Sequence, residues 1–267
     1  MKIGLKLWST NEHYIPVARD LFTHKVFDYI ELFMVPGSMA TIPRWKELGI
    51  SYVLHAPHSG MGLNPANPGL RDTNIEMVSQ VDTFFSALSP DFVIFHPGVN
   101  GDLEESISQF HFFGERFPRM HQKVVIENNP QLGLNNEKCL GAIPAEIRKL
   151  SQDTGLGFCF DFVHAICSAQ SNNLEWEAVA KDFLSLLPVI YHVSDSHYAE
   201  KDLHKHLGEG ELDLLKIFKM LPADCLVTLE TPKNSQNDLD DFTKDAEFFR
   251  FSLNDKMRNL AVKKCLH

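Results

Sequence analysis

Six apolar runs in this sequence end on a side chain able to hold a metal ion or move a proton. They lead into His58, His96, Glu127, Asp161 with His164 three residues on, His192 and Glu230. A further short segment, Asp202-Leu203-His204, carries two more such groups. Any one of these alone says little, because a lone buried His is commonly a hydrogen-bonded core residue and a lone Glu half of a salt bridge. Together they are informative. Carboxylates gathered at one opening repel and raise one another's pKa values unless cations sit among them. Mixed imidazole and carboxylate donors suit zinc, manganese or iron. Thirteen histidines in a chain of formal charge −10 point the same way.

The elements that must position these groups follow from the apolar pattern. Candidate strands are Ile3–Trp8, Phe27–Phe33, Ser51–Ala56, Phe92–Phe95, Val124–Ile126, Gly157–Phe160, Val189–Val193 and Leu226–Leu229. They are short and continuously apolar, as strands buried on both faces are. Between them lie stretches of helical period: Asn74–Leu88, Leu103–Phe117, Glu137–Gln152, Leu174–Leu187 and Leu212–Leu221. Asp72 and Glu76 mark the start of the first of these. The helices after the first three strands are less distinct. Eight strands alternating with helices predict a parallel sheet closed into a (β/α)8 barrel, with reacting groups at the C-terminal ends of the strands. No linker or low-complexity tract divides residues 1–267, so one TIM-barrel domain is expected. The tail from Asn254, with Lys256, Arg258, Lys263 and Lys264, reads as a solvated final helix.

Bulk composition excludes several classes. With 44% hydrophobic and 22% charged residues the chain can build a large core without staples. Five scattered cysteines (Cys139, Cys159, Cys167, Cys225, Cys265) contain no C-x-x-C pair and read as reduced thiols. The opening residues alternate like a strand and lack the apolar run of a signal peptide, so a cytoplasmic protein with no membrane partner is expected. The acidic balance argues against nucleic acid as a partner, unless the acids are metal ligands whose cations the sequence does not count.

The sequence resembles endonuclease IV, the second family of apurinic/apyrimidinic endonucleases, within the xylose isomerase-like TIM barrels. Phe-His-Pro-Gly at 95–98, Asp-x-x-His at 161–164, and Asp-x-His followed by Leu-Gly-Glu-Gly over 202–210 carry the resemblance most specifically. Pro-His at 57–58, Ile-Glu-Asn at 126–128, His-Val-Ser-Asp at 192–195 and Leu-Glu-Thr at 229–231 support it. The resemblance implies up to three Zn2+ ions, with Mn2+ or Fe as substitutes. It implies that His58 and His96 hold one ion, which Glu127 bridges to a second. Asp161, His192 and Glu230 would complete the second, and His164, Asp202 and His204 would hold the third. Four carboxylates against three divalent ions leave about two positive charges, which suits a phosphodiester better than a neutral sugar. The implied activity is hydrolysis of DNA 5′ to abasic sites, with Glu127 and Glu230 in catalytic positions. The alternative within the same barrels is a sugar or sugar-phosphate isomerase or epimerase. It needs only Glu127, Asp161, His192 and Glu230 around one metal, the two glutamates acting as acid and base. A third possibility is a metal-stabilised barrel that binds a ligand without turnover.

Other groups are assigned lesser roles. His55 is read as structural, one strand residue out of phase with His58. Asp195 and His197 are candidates for orienting ligands. Glu209 is expected to fix its loop through backbone amides, beside glycines with unusual dihedrals. Glu31, Met61 and His206 are candidate substrate contacts, while His13, His24, His111, His121 and His267 are read as surface residues. The endonuclease family grips DNA through an Arg-containing loop after strand two and a tyrosine after strand three. Here those loops read Met34–Ala40 and Ser59–Asn64, with Met61 at the tyrosine's place. Met61 or Leu63 could wedge a base step, but Arg44, Lys46 and Arg71 are the only basic side chains nearby to meet phosphates.

Overall fold

A computed structural model describes residues 1–199 and 201–264, with side chains through Leu253 in the last helix. Strands β1 (Lys2–Trp8), β2 (Tyr29–Phe33), β3 (Tyr52–His55), β4 (Val93–Phe95), β5 (Val124–Glu127), β6 (Gly157–Asp161), β7 (Ile190–Val193) and β8 (Leu226–Leu229) close in sequence order. Every neighbouring pair is parallel, and β1 completes the barrel by pairing Gly4 with Thr228 of β8. The expected (β/α)8 architecture is therefore the one observed.

Period two decides what each strand offers to the interior. One face packs outward on helices α1 (Ile15–Thr23), α2 (Ile42–Leu48), α3 (Arg71–Leu88), α4 (Leu103–Arg116), α5 (Pro118–His121), α6 (Pro144–Thr154), α7 (Phe162–Ser171), α8 (Trp176–Leu184), α9 (Leu214–Met220) and α10 (Asp240–Lys264). The other face fills the barrel with a compact layer of Tyr29, Val53, Ile94, Val125, Cys159 and Ile190. Gly4 belongs to this layer because the Tyr29 ring fills the space where any β-carbon would stand. Tyr29 is in turn held through its hydroxyl to Thr228 Oγ1 at 2.9 Å.

Three helical expectations are corrected. The helix expected over Glu137–Gln152 begins only at Pro144, because Gly141 sits at φ +77° and Cys139 bridges to Val99, so residues 137–143 form a loop at the mouth. Helix α7 has no counterpart among the periodic stretches, because Phe162–Ala169 is buried nearly all round, which erases helical period. The last helix begins at Asp240 rather than near Asn254. The side chains at 256, 258, 263 and 264, and residues Cys265 and His267, lie outside what is described. Among the described residues no disulfide joins the cysteines, and no helix is long and apolar enough to cross a membrane.

Candidate metal centre

Two residues above the packed layer, each strand presents one polar side chain to the mouth. Reading round the barrel these are Lys6, Glu31, His55, His96, Glu127, Asp161, His192 and Glu230. The strand pleat puts them on the interior face, since i and i+2 share a side. The loop after β7 adds Asp202 and His204, and α7 adds His164. Asp161 also acts locally, because its Oδ1 accepts the His164 amide at 2.7 Å and so caps α7. A cavity of about 1000 Å3 opens above, with Trp8, Phe33 and Leu134 among its apolar walls.

Most of the imidazoles have one nitrogen anchored and one aimed inward. His55 Nδ1 donates to its neighbour's carbonyl, Ala56 O, at 2.9 Å, and Nε2 lies 3.0 Å from Glu127 Oε2. His96 Nδ1 donates to Asn129 Oδ1 at 2.6 Å, with Nε2 3.5 Å from the same Glu127 oxygen. His164 Nδ1 donates to Asn128 O at 2.7 Å, leaving Nε2 3.4 Å from Asp202 Oδ2. His192 Nδ1 lies 3.0 Å from Glu127 Oε1 and 2.9 Å from Glu230 Oε2. Glu127 thus shows one oxygen to the His55–His96 side and the other to His192.

Among the described residues, ligand-type atoms come within 4.8 Å of one another in four overlapping groups: His55–His96–Glu127; Glu127–Asp161–His192–Glu230; Asp161–His164–His204; and Glu127–Cys159–His192. Asp202 joins the third group through His204 Nε2 at 2.9 Å. Asp161 Oδ2, Asp202 Oδ1, His204 Nε2 and Glu230 Oε2 are buried without a well-formed hydrogen bond. Unsatisfied buried groups of this kind are costly. Four of them facing one another, with imidazoles already anchored by oxygen acceptors, fit divalent cations.

The charges agree. Burial raises Asp161 to about 6, helped by Glu127, Glu230 and Asp202 against His164. At Glu127 the effect of burial is overridden by His192 and His96, and at Glu230 by Lys6, His204 and His192, so both stay well below the usual carboxylate range. Burial drives His96 down to about 3, leaving it neutral. At His204 burial is outweighed by Asp202 and Glu230, which lift it to about 9. A divalent cation competes with such protons for the same lone pairs.

Several expected positions are corrected. His58 lies outside all four groups: it is exposed, and its Nδ1 accepts the Gly60 amide at 3.1 Å. His55, read as structural, stands in the ring instead, because the inward phase of β3 runs through Val53 to His55. Lys6 escapes the sequence reading altogether, since a lysine between Leu5 and Leu7 resembles an outward residue. Glu31, expected as a substrate contact, is not among the side chains lining the cavity. It is fully buried and held by His192, Thr228 and Lys6. Met61 ends the 3-10 turn Ser59–Met61 and, unlike Ser59 and Gly60 of that turn, is not among the residues lining the cavity. His206 is buried, with Nδ1 2.8 Å from Asp245 Oδ2 and Nε2 2.8 Å from Asn234 Nδ2. The loop-fixing role expected of Glu209 belongs to Asp195. Its carboxylate accepts the amides of Ser196, Gly208, Gly210 and Leu212, while Glu209 is exposed. His197 lines the cavity and pairs with Glu211 Oε1 at 3.2 Å. Arg44 and Arg71 are engaged by Glu12 and Glu105.

Fold and mouth together define a parallel β/α barrel whose buried His, Asp and Glu clusters can bind metal. The chain belongs to the xylose isomerase-like TIM barrel family, whose pattern matches residues 27–251. It is 29% identical over 209 residues to a "Probable endonuclease 4" of Halothermothrix orenii, spanning 68% of this chain and 73% of that one. A D-tagatose 3-epimerase-like protein shares the fold with TM-score 0.76 at 21% identity, over 97% of this chain and 100% of the other. Endonuclease IV from Thermus thermophilus does so with TM-score 0.70 at 19% identity, over 96% and 100%. At these identities the two structures speak for the fold alone.

Proposed function

We propose that this protein is a metal-dependent phosphodiesterase that hydrolyses DNA 5′ to abasic sites through three divalent ions, zinc by donor type. His55, His96 and Glu127 would hold one ion; Glu127, Asp161, His192 and Glu230 a second; His164, Asp202 and His204 the third. When bound, such ions activate water, polarise a phosphoryl oxygen and clamp the attacking and leaving oxygens of an in-line displacement. The observation that carries the reading is the Asp161–His164–His204 group with Asp202 beside it, which a one-metal isomerase has no use for. The similarity to a curated endonuclease 4 points the same way.

The protein's own residues have clear roles. Glu127 shows a separate oxygen to each flanking group, as a bridging carboxylate must. Asp195 pins the loop bearing Asp202 and His204. Trp8 and Phe33, with ring centroids 5.6 Å apart and planes tilted by 36°, form an aromatic side of the cavity against which a sugar or base can rest.

A second reading rests on one observation: Glu127, Asp161, His192 and Glu230 form a complete ligand group by themselves. That set around one ion, with Glu127 and Glu230 moving protons, would serve a sugar isomerase or epimerase. One experiment separates the two. Zinc-loaded protein is incubated with a duplex carrying a single abasic site, alongside Glu127→Gln. Incision 5′ to the lesion by the parent and none by a folded Glu127→Gln is the expected result. No incision by a parent holding three zinc ions refutes the DNA reading. One ion per chain with ketose epimerisation establishes the second.

A further inference from the structure

Among the ring imidazoles, His192 is anchored differently. His55, His96 and His164 each donate Nδ1–H to a neutral oxygen and turn Nε2 inward. At His192 the arrangement is reversed. Nε2 lies 2.8 Å from Glu31 Oε2, and Nδ1 faces Glu127, Glu230 and, at 3.9 Å, Asp161. Glu31 is fully buried and receives Thr228 Oγ1–H on the same oxygen at 2.6 Å. A carboxylate so enclosed stays charged only beside a cation. Lys6 supplies it: Nζ lies 3.2 Å from Glu31 Oε1 and 2.5 Å from Glu230 Oε1. The lysine therefore spans two carboxylates. It also occupies one oxygen of Glu230, leaving Oε2, a buried atom without a hydrogen bond, pointing at His192 Nδ1 and the Asp161–Glu127 side.

We propose that Lys6 and Glu31 are a buried positioning pair that fixes His192 to offer Nδ1, and Glu230 to offer Oε2, to a metal ion at the Glu127–Asp161–His192–Glu230 group. Glu31 accepts a hydrogen bond from Nε2–H and so selects the tautomer whose Nδ1 lone pair is free. Lys6 holds Glu31 in place through Oε1 and engages the second oxygen of Glu230, leaving Oε2 as the one offered. Glu31 is closed off from the cavity, whereas Lys6 reaches its lining. The assignment rests on metal binding at the mouth but not on which phosphoester or sugar is turned over.

The test is a zinc titration of the full chain against a competing chelator, with metal counted per chain, for the parent, Glu31→Gln, Lys6→Met and Thr228→Val. Removing such an outer partner costs about 10–100-fold in affinity. Glu31→Gln and Lys6→Met are expected to lose that much at one ion only, while the remaining ions bind as in the parent. Thr228→Val, which spares both charges, changes affinity by less than about threefold. Long-range 1H–15N correlation of the zinc-loaded parent should show His192 protonated at Nε2 and metal-bound at Nδ1. Lys6→Arg should restore binding, which a loss of folding would not allow. Unchanged isotherms for folded Glu31→Gln and Lys6→Met, or a metal on Nε2, overturn the pair while leaving the metal reading standing. A parent that binds no divalent ion overturns both.

Discussion

Replacing His55 with alanine should hurt this protein far more than replacing His58, and the difference can be worked out in advance. His55 is 2% exposed, with both ring nitrogens engaged, Nδ1 on Ala56 O and Nε2 on Glu127 Oε2 at 3.0 Å. Its removal strands one oxygen of a carboxylate that is itself 1% exposed. Leaving a buried acceptor without its partner costs about 1–3 kcal/mol. At roughly 2–4 °C per kcal/mol for chains of this order, Tm without metal falls by about 2–12 °C. The loss with metal is larger. An outer partner is worth about 10–100-fold in affinity, so a direct ligand should be worth at least about 100-fold, or roughly 2.8 kcal/mol. His58 is exposed; its Nδ1 accepts the Gly60 amide, and its ring lies 5.7 Å from that of Phe33 and 6.3 Å from that of His96 without an ion pair to any carboxylate of the mouth. His58→Ala should stay within about 0.5 kcal/mol in stability and hold its ions as the parent does. Differential scanning calorimetry with and without chelator, followed by competitive zinc titration, reads both quantities. A folded His58→Ala losing as much affinity as His55→Ala, or more, would refute the placement of the first ligand group.

Two further outcomes follow from the mouth and its rim. Burial lowers the Lys233 ammonium to about 8 from an ordinary 10.5, despite Asp241 and Asp245. The folded state thus disfavours the charged form: the penalty, about 3 kcal/mol at most, is full below pH 8 and fades as pH rises toward 10.5. Lys233→Met should therefore gain about 1–3 kcal/mol in urea unfolding at pH 7 and flatten the rise in stability between pH 8 and 10.5; a variant less stable at pH 7 contradicts this. Gly210 leaves no room for a β-carbon, which would meet Asp195 Oδ1 and Ser196 O. Gly210→Ala should cost about 1–3 kcal/mol and weaken the ion held by Asp202 and His204 while sparing the His55–His96 side; full metal occupancy with parental Tm would show that Asp195 does not govern that loop.

How far the sequence reveals all this depends on which physical signal each residue leaves. The eight strands are legible because parallel strands buried on both faces are apolar throughout. Glu127, Asp161, His192 and Glu230 are legible because a charged residue ending such a run has few other reasons to be there. His55 is lost when the Pro-His pair at 57–58 is weighted over the pleat. Counting in twos from Val53 reaches His55 and passes over His58. The same count from Gly4 and Tyr29 reaches Lys6 and Glu31. Helix α7 leaves no periodic trace because it is enclosed on nearly every side, and Pro144 overrules the helical period of the seven residues before it. The role of Asp195 depends on amides 13 to 17 residues away, contacts that composition and spacing do not encode.

The eight-membered ring stands one pleat above a packed layer that does not share its chemistry. Tyr29, Val53, Ile94, Val125, Cys159 and Ile190 close the barrel beneath it, tied to the ring through Tyr29, Thr228 and Glu31. Positions 6, 31, 55, 96, 127, 161, 192 and 230 therefore behave as exchangeable fittings on a fixed frame. Substitutions there change which ligand atoms face the mouth one strand at a time, at a cost in stability of the kind worked out for His55. A saturation library confined to those eight positions is the smallest search that could carry this barrel from one reaction to another.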